Sequence, residues 1–315
     1  MRRAGAVSAL ARAVALVVVA AASGACTHST VRGLAPVRPE LFDRTGRVEV
    51  GAYGAAYNAN GTVLAVKSGQ GIGAVSSGGK VRLVTPPGSH AVEYAWMPSG
   101  DALLIAEGPA STGQLDVLRL DGTSLGAVPL NPSFSVGSGY GMAVSPDGRR
   151  AVVVAEDAQA LGGPERLHLK GVDLATGAVT ELGPRAVHAP RYVDGDHVLV
   201  TAWSPSQKAD RAEVVTVSTG AVRVVSAAGE AADALGPVLG PGNRVWLVYA
   251  TDKAVWAVPV AGGQRVRLGA VPKGATAVAV DPFGTQALLA ERNRDAEQLR
   301  ALTLRGLPST GGGGG

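Results

Sequence analysis

Two histidines and one aspartate are the side chains whose types and spacing could gather around one ligand. His90, His188 and Asp233 each stand seven to ten residues before a glycine of a predicted turn, and Ser138 and Gly274 occupy the same place in two other copies. If the turns are equivalent, these positions surround one opening, where the two imidazoles and the carboxylate could bind a metal ion or a carboxylate ligand. The alternative is that they are solvated loop residues far apart on separate repeats, and we expect no metal there.

Nucleophilic catalysis finds little support in the sequence. No serine stands in the Gly-x-Ser-x-Gly pattern that exposes a catalytic hydroxyl, and Cys26 is the single cysteine. Near the predicted inner strands we identify one acidic residue, Glu93. A metal held by several carboxylates is therefore not expected. The sequence predicts neither an enzyme nor a cofactor.

The element that must position any such site is a recurring β-hairpin. Residues 142–156 (MAVSPDGRRAVVVAE) contain an apolar strand ending at Val144, the turn Ser145-Pro146-Asp147-Gly148, and a second apolar strand at 151–155. Proline presets φ, aspartate bonds its own downstream backbone, and glycine takes the positive-φ position. The pattern therefore predicts a tight hairpin, because each of these residues favours the conformation that the turn requires.

Six copies of this hairpin predict six blades of a β-propeller. The turn glycines lie 39 to 48 residues apart, close to the length of a four-stranded blade. They are Gly61, Gly100, Gly148, Gly195, Gly242 and Gly284, with Asp147 and Asp194 preceding the third and fourth. Between them, a second set of turns marks the outer hairpins of the first five blades. We therefore predict an all-β fold, a six-bladed β-propeller of four-stranded antiparallel blades, over residues 46–305.

The last blade lacks a fourth strand of its own. After Gly284 the sequence supplies strands at 287–290 and 299–304, followed by a glycine-rich tail at 306–315 that we expect to be disordered, whether native or a tag. A spare strand at 47–50 is predicted to pair with residues 299–304. This pairing would close the ring and cover an exposed strand edge.

The first 25 residues are predicted to be a secretory signal. Arginines precede the uncharged apolar run 13–22, and small residues follow at 23–25. That layout is typical of an exported protein, and the run is too short to span a bilayer as a helix. We therefore expect cleavage between Ala25 and Cys26.

Cys26 is placed where a lipid anchor would be attached. The sequence Ser-Gly-Ala-Cys at 23–26 resembles the lipobox of bacterial lipoproteins, although Ser23 stands where leucine is usual. The resemblance implies a lipidated Cys26 on the outer face of the membrane, with residues 26–45 as a flexible tether. The alternative is a secreted protein with a free N-terminal thiol.

The charge balance argues against nucleic acid as a partner. The formal net charge is +4, but the predicted signal contains three arginines and no acidic residue, which leaves 26 basic and 25 acidic residues. No basic run or basic-aromatic patch remains, so phosphate binding has little support.

The repeat also carries a family resemblance. Ser-Pro-Asp-Gly at 145–148 before an apolar strand, with the degenerate copies Met-Pro-Ser-Gly at 97–100 and Asp-Pro-Phe-Gly at 281–284, resembles the repeat of TolB-type six-bladed propellers, also called PD40 or WD40-like. With a lipobox cysteine, the chain is similar to actinobacterial propeller lipoproteins such as the propeller part of LpqB.

The resemblance implies a non-catalytic scaffold of the cell envelope that binds a protein or peptide, and we expect a monomer. Two alternatives remain open at this point. One is a propeller enzyme of the lactonase or lyase kind, which would need convergent polar side chains around the channel. The other is an extracytoplasmic ligand sensor that acts on a membrane signalling protein.

Overall fold

Antiparallel strands make up more than half of the described chain. The computed structural model describes residues 41–42, 47–48, 52–68, 70–108, 112–156, 166–293 and 296–308. These contain 23 β-strands, arranged in five four-stranded sheets and one three-stranded sheet. The sheets follow one another along the chain, so the protein is a six-bladed β-propeller.

The first three blades each use four consecutive strands. Blade 1 contains β1 (Ala52–Tyr57), β2 (Leu64–Ser68), β3 (Gly71–Val75) and β4 (Arg82–Leu83). Blade 2 contains β5 (Ala91–Trp96), β6 (Ala102–Glu107), β7 (Thr112–Arg119) and β8 (Ser124–Phe134). Blade 3 contains β9 (Met142–Val144), β10 (Arg150–Glu156), β11 (Leu167–Asp173) and β12 (Val179–Arg185).

The last three blades repeat this order. Blade 4 contains β13 (Val187–Tyr192), β14 (His197–Ser204), β15 (Ala209–Thr216) and β16 (Val222–Val224). Blade 5 contains β17 (Asp233–Leu239), β18 (Val245–Ala250), β19 (Ala254–Pro259) and β20 (Val266–Ala270). Blade 6 contains β21 (Ala275–Val280), β22 (Gln286–Asn293) and β23 (Ala296–Thr303).

The predicted repeat turns all lie between the first and second strands of a blade. In blade 3, Gly148 N–H donates to the Ser145 carbonyl at 2.8 Å, and Asp147 Oδ1 accepts from Ser145 Oγ at 2.6 Å. Five of the six turn glycines have φ between 67° and 74°, a region that glycine enters without strain; they are Gly61, Gly100, Gly148, Gly242 and Gly284.

The turn at Gly195 differs from the other five in the conformation of its glycine. Gly195 is not among the residues with positive φ. Instead, Asp194 Oδ1 accepts from the backbone N–H groups of Asp196 and His197 at 2.7 and 2.8 Å. The aspartate side chain therefore stabilises this turn without a left-handed glycine.

The core is a ring of six apolar clusters, one between each pair of neighbouring blades. Each is formed by alternate residues of strands in both blades, and a fully buried leucine, isoleucine or valine contributes about 1.5–3 kcal/mol. The cluster between blade 6 and blade 1 contains Leu64 and Leu288, both fully buried. The ring is therefore closed by side-chain packing.

Two residues of the N-terminal segment pair with the last strand of blade 6. Arg47 forms an antiparallel bridge with Arg300, and Val48 N–H donates to the Leu299 carbonyl at 3.0 Å. Residues 49–50 of the predicted strand lie outside the described residues. The longer pairing of 47–50 with 299–304 therefore stays a prediction.

Two predicted boundaries of the propeller are corrected by burial. Leu41 and Phe42 are 0% and 4% exposed and pack in the cluster between blades 1 and 6, so the predicted tether cannot extend to residue 45. Leu307 is 6% exposed and packs in the cluster between blades 5 and 6. The propeller therefore includes residues on both sides of the predicted range 46–305.

The predicted signal, the lipidation site at Cys26 and residues 309–315 of the tail lie outside the described residues. Within the described part, no helix is long and apolar enough to cross a membrane.

Candidate functional site

The first strand of every blade lines a central channel. The channel has a volume of about 690 Å³, and its wall takes residues from all six blades. Much of the wall is small and apolar, with Ala55, Ala143, Ala234 and Val278 as examples. Charged side chains gather where the inner strands begin, and this end is called the channel mouth below.

A buried ion pair joins the first two blades at the mouth. Lys67 Nζ, on β2, lies 3.4 Å from Glu93 Oε1, on β5, and their side chains are 9% and 6% exposed. The same Nζ donates to the Val92 carbonyl and lies 3.4 Å from Ser138 Oγ, and Gly139 N–H donates to Glu93 Oε1. Burial raises the pKa of Glu93, while Lys67 and the Gly139 N–H oppose this rise. These bonds tie together the mouth ends of blades 1, 2 and 3.

An imidazole and two carboxylates converge between blades 4 and 5. The potential ligand atoms of His188, Asp210 and Asp233 all lie within 4.8 Å of one another, and His188 Nε2 is 3.8 Å from Asp210 Oδ2. All three residues are half-buried. Burial raises the pKa of Asp233, His188 opposes this rise and Asp210 adds to it.

Two hydrogen bonds between blades hold this group in place. Thr201, which pairs with His188 in the β13–β14 register, accepts from Ala234 N–H through its Oγ1 at 2.8 Å. The Asp210 carbonyl accepts from Ala232 N–H at 2.9 Å. Because Ala232 and Ala234 flank Asp233, these bonds fix the start of β17 beside blade 4.

Arg191 brings a second cation into the channel. A register shift in β13 separates His188 from Arg191, and the extra residue lets both side chains line the channel instead of pointing to opposite faces. Arg191 Nη1 donates to the Pro190 carbonyl at 2.8 Å. Among the described residues, no carboxylate lies within 4 Å of the guanidinium. Burial lowers the pKa of Arg191, and the nearby Tyr94 and Glu93 oppose this shift.

The structure brings together part of the group identified from spacing. His188 and Asp233 lie close to each other at the mouth, whereas His90 is exposed in the connection before β5 and does not line the channel. Ser138 reaches Lys67, and Gly274 does not line the channel.

The expectation of a channel without clustered carboxylates was wrong. Asp210 and Asp233 lie together, and Asp210 was missed because it belongs to the third strand of its blade, not the first. Lys67 was missed for the same reason, since it lies on the second strand. A lysine within an otherwise apolar run, Leu-Ala-Val-Lys, is the signal that could have identified it. Arg191 carries no comparable signal, because its direction depends on the register shift.

Comparisons with known proteins agree on the fold. The sequence matches no protein-family model and no curated protein. Among solved structures, it is similar to TolB from Acinetobacter baumannii, at 16% identity and a TM-score of 0.52, over 84% of this chain and 66% of that chain. It is similar to a gluconolactonase from Xanthomonas campestris, at 13% identity and a TM-score of 0.57, over 84% and 88% of the two chains.

A third similar structure is an oligogalacturonate lyase in complex with manganese, at 14% identity and a TM-score of 0.54, over 79% of this chain and 72% of that chain. At these identities the likeness is one of fold alone. The chain is therefore a six-bladed β-propeller, an architecture that binding proteins and enzymes share.

Proposed function

We propose that the protein is a non-catalytic binding protein of the cell envelope and that its channel holds a peptide segment carrying a carboxylate. The observation that carries this proposal is the guanidinium of Arg191, which lies in the channel without a carboxylate partner among the described residues. A peptide carboxylate, either at the chain end or on an aspartate or glutamate, would supply that partner.

The hydrogen-bonding capacity of Arg191 supports an anionic ligand. A guanidinium has five N–H donors in a planar fork that matches a carboxylate, and the described contacts of Arg191 include one hydrogen bond, to Pro190. Glu93 does not lie within 4 Å of the guanidinium, and its Oε1 already accepts from Lys67 and from Gly139 N–H. Partial burial of the guanidinium weakens its hydration, so an incoming carboxylate would be stabilised there.

The shape of the channel supports a slender ligand. A volume of about 690 Å³ lies within the range of small-ligand sites. The wall combines alanine and glycine positions with the aromatic rings of Tyr57, Tyr94 and Trp96. Such a surface leaves room for a backbone and offers apolar contacts for its side chains.

The absence of an activated nucleophile among the described residues supports a non-catalytic role. The Ser138 hydroxyl lies beside Lys67, which is already ion-paired with Glu93. Within the described part of the chain, no hydroxyl is hydrogen-bonded to His188, as a nucleophile and its general base would be.

The N-terminal sequence supports the proposed placement in the envelope. The predicted signal and Cys26 would export the protein and anchor it to the outer face of the membrane, where two or more acyl chains give stable binding. Membrane fractionation and intact mass of wild type and Cys26→Ala test this. Wild type should carry an acyl mass and sediment with membranes, and the variant should not. If wild type is unmodified and soluble, the protein is secreted instead.

A propeller enzyme is the second candidate, and the cluster of His188, Asp210 and Asp233 favours it. Those groups could act on a lactone or an acidic oligosaccharide at the channel mouth. In that case purified protein would turn over such substrates, and Asp233→Asn would abolish the turnover. A sensor acting on a membrane protein would instead copurify with that protein.

The binding proposal is tested with a library of random peptides. The full-length chain is panned against free-acid peptides, and each enriched peptide is titrated against wild type, Arg191→Met and Arg223→Met. Arg223 is a matched control, because this exposed arginine on β16 also donates to a backbone carbonyl, that of Val260. We expect enriched peptides to lose about tenfold or more in affinity with Arg191→Met and to be unaffected by Arg223→Met. The proposal would be overturned if the library yields no binding peptide, or if Arg191→Met leaves the affinity of the enriched peptides unchanged.

A further inference from the structure

We propose that His188, Asp210 and Asp233 form a binding site for a divalent transition-metal ion at the channel mouth. This inference does not depend on the peptide proposal, and it departs from the sequence-based expectation that no metal is bound.

The donor set is chemically suited to such an ion. One imidazole and two carboxylates from β13, β15 and β17 converge here, and nitrogen and oxygen donors of this kind bind Zn²⁺, Mn²⁺ and Fe²⁺. Donors about 2.0–2.2 Å from one ion lie about 3 to 4.4 Å apart. The 3.8 Å between His188 Nε2 and Asp210 Oδ2 falls within that range. All three atoms lie within 4.8 Å of one another, so small side-chain rotations would complete the geometry.

Among the described residues, the three side chains have no hydrogen-bond partners that compete with a metal ion. None of them makes a side-chain hydrogen bond to another described residue, although all three are half-buried. Two carboxylates this close repel each other, and their partial burial adds to the cost. A divalent cation would offset both the repulsion and the desolvation.

Backbone hydrogen bonds fix the strands around the cluster. The bonds from Ala234 N–H to Thr201 and from Ala232 N–H to the Asp210 carbonyl hold the two blades together on both sides of Asp233. Three protein donors leave coordination positions free, and His188 and Asp233 line the channel. A bound ion would therefore be accessible from the channel.

The test is a metal titration of the full-length chain carrying Cys26→Ser, so that the thiol binds no metal. After treatment with a chelator, the protein is titrated by calorimetry with Mn²⁺ and, separately, Zn²⁺, and Mn²⁺ binding is followed in parallel by electron paramagnetic resonance. We expect one ion per chain. Asp210→Asn and Asp233→Asn should each weaken binding tenfold or more, because the isosteric amide removes a charged ligand.

Asp194→Asn is the matched control. Asp194 also pairs with a histidine, His197, with Oδ2 2.9 Å from Nδ1, but this pair lies in an exposed turn and has no third donor within the described part of the chain. Metal affinity in this variant should equal that of the Cys26→Ser parent. A thermal melt of each metal-free variant checks that it is folded.

Two results would overturn the proposal. One is the absence of stoichiometric binding of either ion at 1 mM in the folded parent chain. The other is binding that Asp210→Asn and Asp233→Asn leave unchanged, which would place the ion elsewhere.

Discussion

Lys67 and Glu93 form a buried ion pair across the interface of blades 1 and 2, with 3.4 Å between Nζ and Oε1. Glu93 also accepts the backbone N–H of Gly139, which stands just before the first strand of blade 3. One carboxylate therefore connects the mouth ends of three blades. Arg191 is a second cation of the channel. Among the described residues, no carboxylate lies within 4 Å of its guanidinium.

Removing one partner of this pair should destabilise the protein strongly. Lys67→Met leaves the Glu93 carboxylate buried without its counter-ion, a change that typically costs about 3–5 kcal/mol. Chemical denaturation of wild type, Lys67→Met and the double variant Lys67→Met/Glu93→Gln measures this cost. The double variant should recover part of the loss. If the single variant is as stable as wild type, the pair does not have the role assigned to it.

Asp233 should make the metal-free protein less stable as pH rises. Its pKa is raised in the folded state by burial, so the folded protein holds this proton more tightly than the unfolded chain does. The stabilisation that Asp233 contributes therefore falls as the pH rises from the pKa of the unfolded chain, about 3.9, through the raised pKa of the folded protein.

Asp233→Asn should abolish that part of the pH dependence. In chelator, the variant should have the higher Tm near pH 7, and the difference should shrink toward about pH 4. Asp194→Asn provides the comparison, because hydrogen bonds and the nearby His197 lower the pKa of Asp194 despite its partial burial, so its contribution has the opposite sign. Equal melting temperatures of Asp233→Asn and wild type at every pH would contradict the assigned environment of Asp233.

A single hydrogen bond should contribute measurably to ring closure. Tyr57, at the end of β1, donates its hydroxyl to Gln286 Oε1 at 3.0 Å, at the start of β22, and the bond is buried. Tyr57→Phe leaves that acceptor without this donor, so the free energy of unfolding should fall by about 1–3 kcal/mol. Tyr140→Phe is the control, since its hydroxyl contacts Arg166 in a more exposed position. Equal losses in the two variants would argue against a special role in closure.

Leu307 should stabilise the C-terminal end of the propeller. Its side chain packs beside Trp246 and Val238 in the cluster between blades 5 and 6, so Leu307→Ala should cost about 2–3 kcal/mol, at the lower end of buried leucine truncations. Leu125 is 51% exposed, and Leu125→Ala should change stability by less than about 0.5 kcal/mol. If the two variants have the same Tm, Leu307 belongs to the tail, as the sequence predicted.

The fold could be predicted from the sequence because its signals are local. Each repeat turn needs a glycine or an aspartate within four residues, and alternation in the flanking strands sets which face is apolar. The boundaries were less accurate. The burial of Leu41, Phe42 and Leu307 depends on contacts between the chain ends and distant blades, which no local pattern reports.

The candidate site could be predicted only in part, for a geometric reason. His188 and Asp233 precede the turn glycines at similar distances, so counting along the chain places both at the mouth. Asp210 and Lys67 reach the mouth from the third and second strands of their blades, and strand register decides their position. The direction of Arg191 depends on a one-residue register shift in β13, which the sequence does not signal.

The most direct test of the binding account is a double-mutant cycle between Arg191 and the carboxylate of a library-selected peptide. The peptide and its carboxamide analogue are titrated against wild type and Arg191→Met by calorimetry. We predict that the carboxamide binds wild type about tenfold more weakly, while Arg191→Met binds both peptides equally, since the partner of the carboxylate is gone. If the carboxamide substitution has the same effect on both proteins, the carboxylate does not bind Arg191, and the channel is not the site that recognises it.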